Sequence, residues 1–145
     1  MGDHSERWVL NRLIEMCRDE EQSLRHLAEH IKDLDTRRML FSLADRRAQF
    51  AADLVPHAQR LGGFEAHDGT ARGAWVRRWR ALRDTLLRHS DDAMVAEARQ
   101  EEKRVLVMYG GALDAILPPG TRDLVEHQAA EIRRDRGEMR TRLTH

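Results

Sequence analysis

The sequence predicts an all-α, up-down four-helix bundle with one long crossover. Apolar residues recur at steps of three and four through four segments, each roughly 25 residues long, which is the helical period. No stretch alternates apolar and polar residues, and no Asn-Gly hairpin turn is present, so strands are not expected. The segment Cys17-Arg18-Asp19-Glu20-Glu21-Gln22-Ser23-Leu24 returns as Ala98-Arg99-Gln100-Glu101-Glu102-Lys103-Arg104-Val105, an offset of 81 residues (17 + 81 = 98). Two helical hairpins built as copies of one unit would produce this repeat.

The first helix is predicted from about Ser5 to Lys32, with Ser5 as N-cap. Its stripe is Leu10, Leu13, Cys17, Leu24, Leu27 and Ile31, with a gap at 20/21. Asp33-Leu34-Asp35 is a short connection, and Thr36 is the expected cap of the second helix. That helix carries Leu40, Leu43, Phe50, Leu54 and Leu61 and stops at Gly62-Gly63. Pro56 predicts a kink or break near 52–55. The stretch 62–73 reads as a loop. A shorter helix, Thr70 to Arg88, follows in the crossover, with Trp75, Trp79, Leu82 and Leu86 on one face.

The third long helix is expected from Asp91 to Ile116, along Val95, Ala98, Val105, Tyr109, Ala112 and Ile116, with its gap at 101/102. Gly110-Gly111 within it would permit close helix contact or a local kink. Pro118-Pro119-Gly120 breaks the chain, and Thr121 is the expected cap of the fourth helix. That helix runs to Leu143 along Val125, Ala129, Ile132, Met139 and Leu143, interrupted by Asp135 and Arg136. Short connections make hairpins of helices 1–2 and 3–4, and the long 2–3 connection crosses the bundle.

Composition bounds the function. A chain of 145 residues makes one domain, 1–145, large enough for a sizeable core. With 34% charged and 41% hydrophobic residues it reads as a charge-coated globular protein. The 25 basic and 25 acidic residues balance, which removes a global drive toward nucleic acid or anionic membrane. Cys17 is the sole cysteine, so no intrachain disulfide or cysteine metal knot is possible. The first residues lack the pattern of a secretory signal and no apolar run reaches membrane length, so the expected compartment is the cytoplasm.

Several pieces together resemble a known family. They are Leu-Asn-Arg-Leu-Ile-Glu-Met-Cys-Arg-Asp-Glu-Glu (10–21), Arg-Arg-Ala-Gln-Phe-Ala-Ala-Asp-Leu (46–54), Arg-Leu-Gly-Gly (60–63), Gln-Glu-Glu (100–102) with Tyr109, and Leu-Pro-Pro-Gly-Thr-Arg (117–122). Over nearly the whole chain the sequence is similar to a bacterial ferritin-like four-helix family of unknown function. The resemblance implies the fold and a stress-associated role; a homo-oligomer or a protein partner is expected beside it. In that family a glycine commonly precedes the matched glutamate of helices 1 and 3. Glu20 and Glu101 stand at those glycine positions here, so the resemblance matches Glu21 and Glu102 and makes Glu20 and Glu101 peripheral.

A di-iron carboxylate bundle needs one Glu from each of two helices and a Glu-x-x-His from each of the others. Glu21 and Glu102 could supply the first half. The second half is missing, because no histidine has Asp or Glu three residues before it. Helix 2 instead offers Arg47-x-x-Phe50, and helix 4 offers Glu131-x-x-Arg134. The preferred expectation is a buried ionic cluster of Glu21, Arg47 and Glu102 in place of metals, no cofactor, and a non-enzymatic role. Two alternatives accompany it. One is a partial iron, manganese or zinc site from Glu21, Glu102, Glu131 and Asp135. The other is a nucleic-acid surface from Arg72, Arg77, Arg78 and Arg80, weighed below a packing role because Trp75 and Trp79 lie on an apolar face.

Three smaller features complete the reading. His26-Leu27-Ala28-Glu29-His30 matches a zinc-peptidase string but is expected to be solvated helix surface. Cys17 is expected to be a buried structural thiol. Glu126 and His127 are adjacent on a helix and point apart.

Overall fold

The computed structural model describes residues 2–62, 77 and 90–143. The described residues form four long helices: α1 (Gly2–His30), α2 (Leu34–Arg60), α3 (Asp91–Leu113) and α4 (Pro119–Leu143). Helix α1 packs on α2 and α3, and α4 packs on α3 and α2. One half of the core joins the N-terminal halves of α1 and α4 to the C-terminal halves of α2 and α3. Helices α1 and α4 therefore run one way and α2 and α3 the other. Helix α2 ends where α3 does not begin, which is the topology of a bundle with one crossover. The expected short helix at 70–88, with Arg72, Arg78 and Arg80, lies outside the described residues; Arg77 is exposed.

Local chemistry sets the helix ends and corrects several expected caps. Helix α1 already includes Ser5, so Ser5 is not its N-cap. The cap of α2 is Asp33, whose carboxylate accepts from the Thr36 amide at 3.0 Å and the Thr36 hydroxyl at 2.7 Å. A charged cap matches the helix dipole better than the hydroxyl of Thr36 would. Asp91 then accepts from the backbone amides of Lys32 (2.9 Å) and Asp33 (2.8 Å), which ties the α1–α2 turn to the start of α3. Pro56 does not interrupt α2, which continues through it to Arg60. Gly62 follows with φ 125°, a left-handed geometry natural for glycine.

Helix α3 ends earlier than its stripe implied. The Asp114 amide folds back on the carbonyls of Gly110 and Gly111, Ile116 turns outward at 86% exposure, and Leu117 takes the buried place. Gly110 and Gly111 are exposed, and an added Cβ at either would meet nothing within 4 Å, so no close helix contact accounts for them. Helix α4 starts at Pro119, where a missing N–H costs nothing. Thr121 is thus not a cap; it is buried inside the helix, 2.6 Å from His57 Nδ1 of α2.

The apolar core is split in two. One part holds Leu10, Leu13, Cys17, Phe50, Leu54, Val105, Tyr109 and Ile132. The other holds Leu24, Leu27, Leu40, Leu43, Val95, Ala98 and Met139. Between them every helix contributes a charged side chain, Glu20, Arg47, Glu102 and Asp135, with Glu101 also buried on α3.

A candidate functional site in an ionic layer

Arg47 is the centre of this layer and is fully buried. It lies on the stripe of α2 between Leu43 and Phe50, so its side chain enters the bundle axis. The Nε–H donates to Glu20 of α1. Nη2 donates to both oxygens of Glu102 of α3, at 2.9 and 3.0 Å, and to Asp135 Oδ2 of α4 at 2.7 Å. The Phe50 ring covers the guanidinium with its centroid 4.9 Å away. At the rim, Arg46 Nη2 donates to Asp135 Oδ1 at 2.9 Å.

Charge and burial oppose each other here. Burial disfavours the cation of Arg47, yet the carboxylates of Glu20 and Glu102 outweigh it and raise its pKa. Burial also raises the carboxyl of Glu20 well above its ordinary value, and the neighbouring Glu102 adds to this. Glu102 is pushed up to about 7, again chiefly by burial, with Arg47 pulling the other way. One guanidinium does not neutralise three buried carboxylates.

A second, uncharged network adjoins the layer. Gln128 of α4 donates from Nε2 to the Phe50 carbonyl at 3.2 Å, which fixes its amide orientation. Its Oε1 accepts from the Tyr109 hydroxyl at 2.7 Å. That hydroxyl has spent its proton, so the Cys17 thiol, 3.2 Å away, donates to it. Burial pushes the Cys17 thiol up to about 12 and raises the Tyr109 phenol well above its usual value. Cys17 is accordingly a neutral, enclosed thiol rather than a nucleophile.

The layer joins Arg47 and Glu102, as the stripe predicts, but takes Glu20 where Glu21 was expected. Glu21 is half-buried on the flank of α1 and accepts from Arg25 at 2.9 Å. One residue is 100° of helix turn, so Glu20 and Glu21 cannot both face the axis. Glu101, also expected at the periphery, is 6% exposed. The four residues of the partial-metal alternative are dispersed. Glu21 faces Arg25, and Glu131 lies near His127 (3.3 Å) and Arg134 (3.4 Å) on the outer side of α4. Glu102 and Asp135 both accept from Arg47. Among the described residues no group of three or more His, Cys, Asp and Glu is placed to hold a metal ion. His26 and His30 belong to no such group either; His30 Nδ1 donates to the His26 carbonyl at 2.8 Å.

Sequence reasoning also missed Asp135 as a partner of Arg47, and Gln128 altogether. Both continue the α4 stripe in alternating steps, Val125, Gln128, Ile132, Asp135, Met139, and that rhythm was the available signal.

No described helix is long and apolar enough to cross a membrane. Comparison with curated proteins gives no match. Among solved structures, a point mutant of Dps1 from Mycobacterium smegmatis superposes with a TM-score of 0.77 at 15% identity, over 98% of this chain and 97% of that one. At that identity the likeness speaks for the fold, which is ferritin-like. The description of the domain of unknown function DUF2383 matches residues 7–115. The chain belongs to the DUF2383 family, and its fold is the ferritin-like four-helix bundle.

Proposed function

We propose that this protein is a non-enzymatic ferritin-like bundle that works through assembly with copies of itself or with a protein partner. In this reading the Arg47 layer occupies the level of a di-metal site and does without metal. The observation that carries it is the full burial of Arg47 among carboxylates of the three other helices. A guanidinium is a fixed cation with directional donors, so it can neutralise and orient carboxylates, but it cannot exchange electrons or activate oxygen. The cytoplasm is the proposed compartment, supported by the free thiol of Cys17. Stress association follows only from the family resemblance.

The test is elemental analysis of untagged protein with light-scattering mass on the same sample. The expected result is less than stoichiometric iron, manganese and zinc, and a mass of several copies. Stoichiometric metal that survives dialysis would overturn the metal-free reading. A monomeric mass at micromolar concentration, with no co-purifying protein, would overturn assembly.

A further inference from the structure

The ionic layer has an excess of negative charge that its geometry does not discharge. Arg46 meets Asp135 from the rim, and Glu20, Glu102 and Asp135 share Arg47, so two guanidiniums face three carboxylates. Glu101, which has an interaction of its own, is a further carboxylate near Glu20. The remaining titratable neighbours, Cys17 of α1 and Tyr109 of α3, are neutral. Asp135 is the acid that α4 contributes, and it adds negative charge beside Glu102.

Two features of Glu20 favour a carboxylic acid over a carboxylate. Its Oε2 is completely enclosed and has no donor. Its carboxyl group is also within hydrogen-bonding reach of Glu102. Two ionised carboxylates repel and have no hydrogen to share, whereas a carboxylic acid donates to a carboxylate in a strong, charge-assisted bond. A single proton on the enclosed carboxyl of Glu20 would turn the repulsion into a bond and lower the excess charge of the layer.

We infer that Glu20 is a neutral carboxylic acid that donates to Glu102, which makes the ionic layer a binding site for one proton. The raised carboxyls of Glu20 and Glu102 agree with this. A carboxyl whose folded pKa is raised contributes stability that is fully present below its unfolded value and lost as pH rises through the folded one. For Glu20 that loss begins above the ordinary 4.5 and continues to its raised folded value. The bundle is thus a proton-dependent structure, tighter in mild acid and looser in alkali.

The test uses the full chain and Glu20→Gln, whose amide mimics the neutral acid in shape and can donate to Glu102. Infrared spectroscopy of the native protein at pH 7 should show the carbonyl stretch of a neutral carboxylic acid, and Glu20→Gln should lack it. Unfolding at pH 7 in buffers of different ionisation enthalpy should release about one proton more from the wild type than from the variant. The wild-type urea midpoint should fall from pH 6 to 9, and that of Glu20→Gln should fall less. Absence of a neutral-acid band in the native wild type overturns the inference, even if the variant does not fold. So does a band that persists unchanged in Glu20→Gln, or a wild-type midpoint flat from pH 6 to 9.

Discussion

Replacing Arg47 with Met removes the four charge-assisted hydrogen bonds of the layer while keeping the volume and helix preference of the position. Glu20 and Glu102 are then left without their shared cation, and Asp135 keeps only Arg46 at the rim. The variant can respond by protonating the two glutamates. Holding a carboxylic acid with an unfolded pKa near 4 in its neutral form at pH 7 costs about 4 kcal/mol. Glu20 is already neutral in our reading, Glu102 is already raised to about 7 and Asp135 keeps Arg46, so the cost is that of leaving the layer without its central cation. Release from burying the guanidinium, plus the apolar gain of Met, offsets part of that, consistent with the ~3–5 kcal/mol typical of a broken buried ion pair. For a chain of this size 1 kcal/mol moves the melting temperature by about 3–4 °C, so a fall of about 10–20 °C is expected at pH 7. At pH 5 the same protonation costs only about 1–1.5 kcal/mol per group, so most of the deficit should vanish. Thermal unfolding followed by circular dichroism at both pH values checks this. A melting temperature within ~3 °C of wild type at pH 7 would refute the central role of Arg47, and an equal deficit at both pH values would refute its electrostatic origin.

Glu21→Gln should cost less than about 1 kcal/mol, because its pair with Arg25 is open to water. A loss comparable to that of Arg47→Met in the same assay would put the wrong glutamate in the layer. The Cys17 thiol should resist a disulfide reagent at pH 8 in the native protein and react fully in denaturant, as its burial and upward-shifted pKa require. Rapid stoichiometric labelling without denaturant would contradict the enclosed Cys17–Tyr109–Gln128 network.

The fold was legible because each helix writes its buried face in steps of three and four. Leu40, Leu43, Arg47, Phe50 and Leu54 keep that rhythm, so an inward arginine was readable despite its charge. Glu21 misled for a physical reason. The 81-residue repeat pairs Glu21 with Glu102, and the resemblance does the same. Yet strict alternation in α1, Leu10, Leu13, Cys17, Glu20, Leu24, selects Glu20, while in α3 Val95, Ala98, Glu102, Val105 selects Glu102. The two helices leave the repeat's symmetry by one residue at the layer itself. Helix ends were less readable, because Asp33 outcompetes Thr36 as a cap and the Asp114 turn pulls Ile116 out of its stripe. Those outcomes depend on contacts between side chain and backbone, which periodicity does not encode.

The division of the core has a consequence for how the helices find their alignment. On either side of the layer the packed residues are largely leucines and other aliphatics, which would tolerate a slip of one helical turn, about 5.4 Å. Such a slip of α2 would set the Arg47 cation among Cys17, Val105 and Ile132 in one direction, or Leu24, Ala98 and Met139 in the other. The described core residues at those levels are apolar, so a misaligned bundle would bury the charge among them. The layer thus works as an index mark: it favours one vertical setting of four otherwise interchangeable apolar seams.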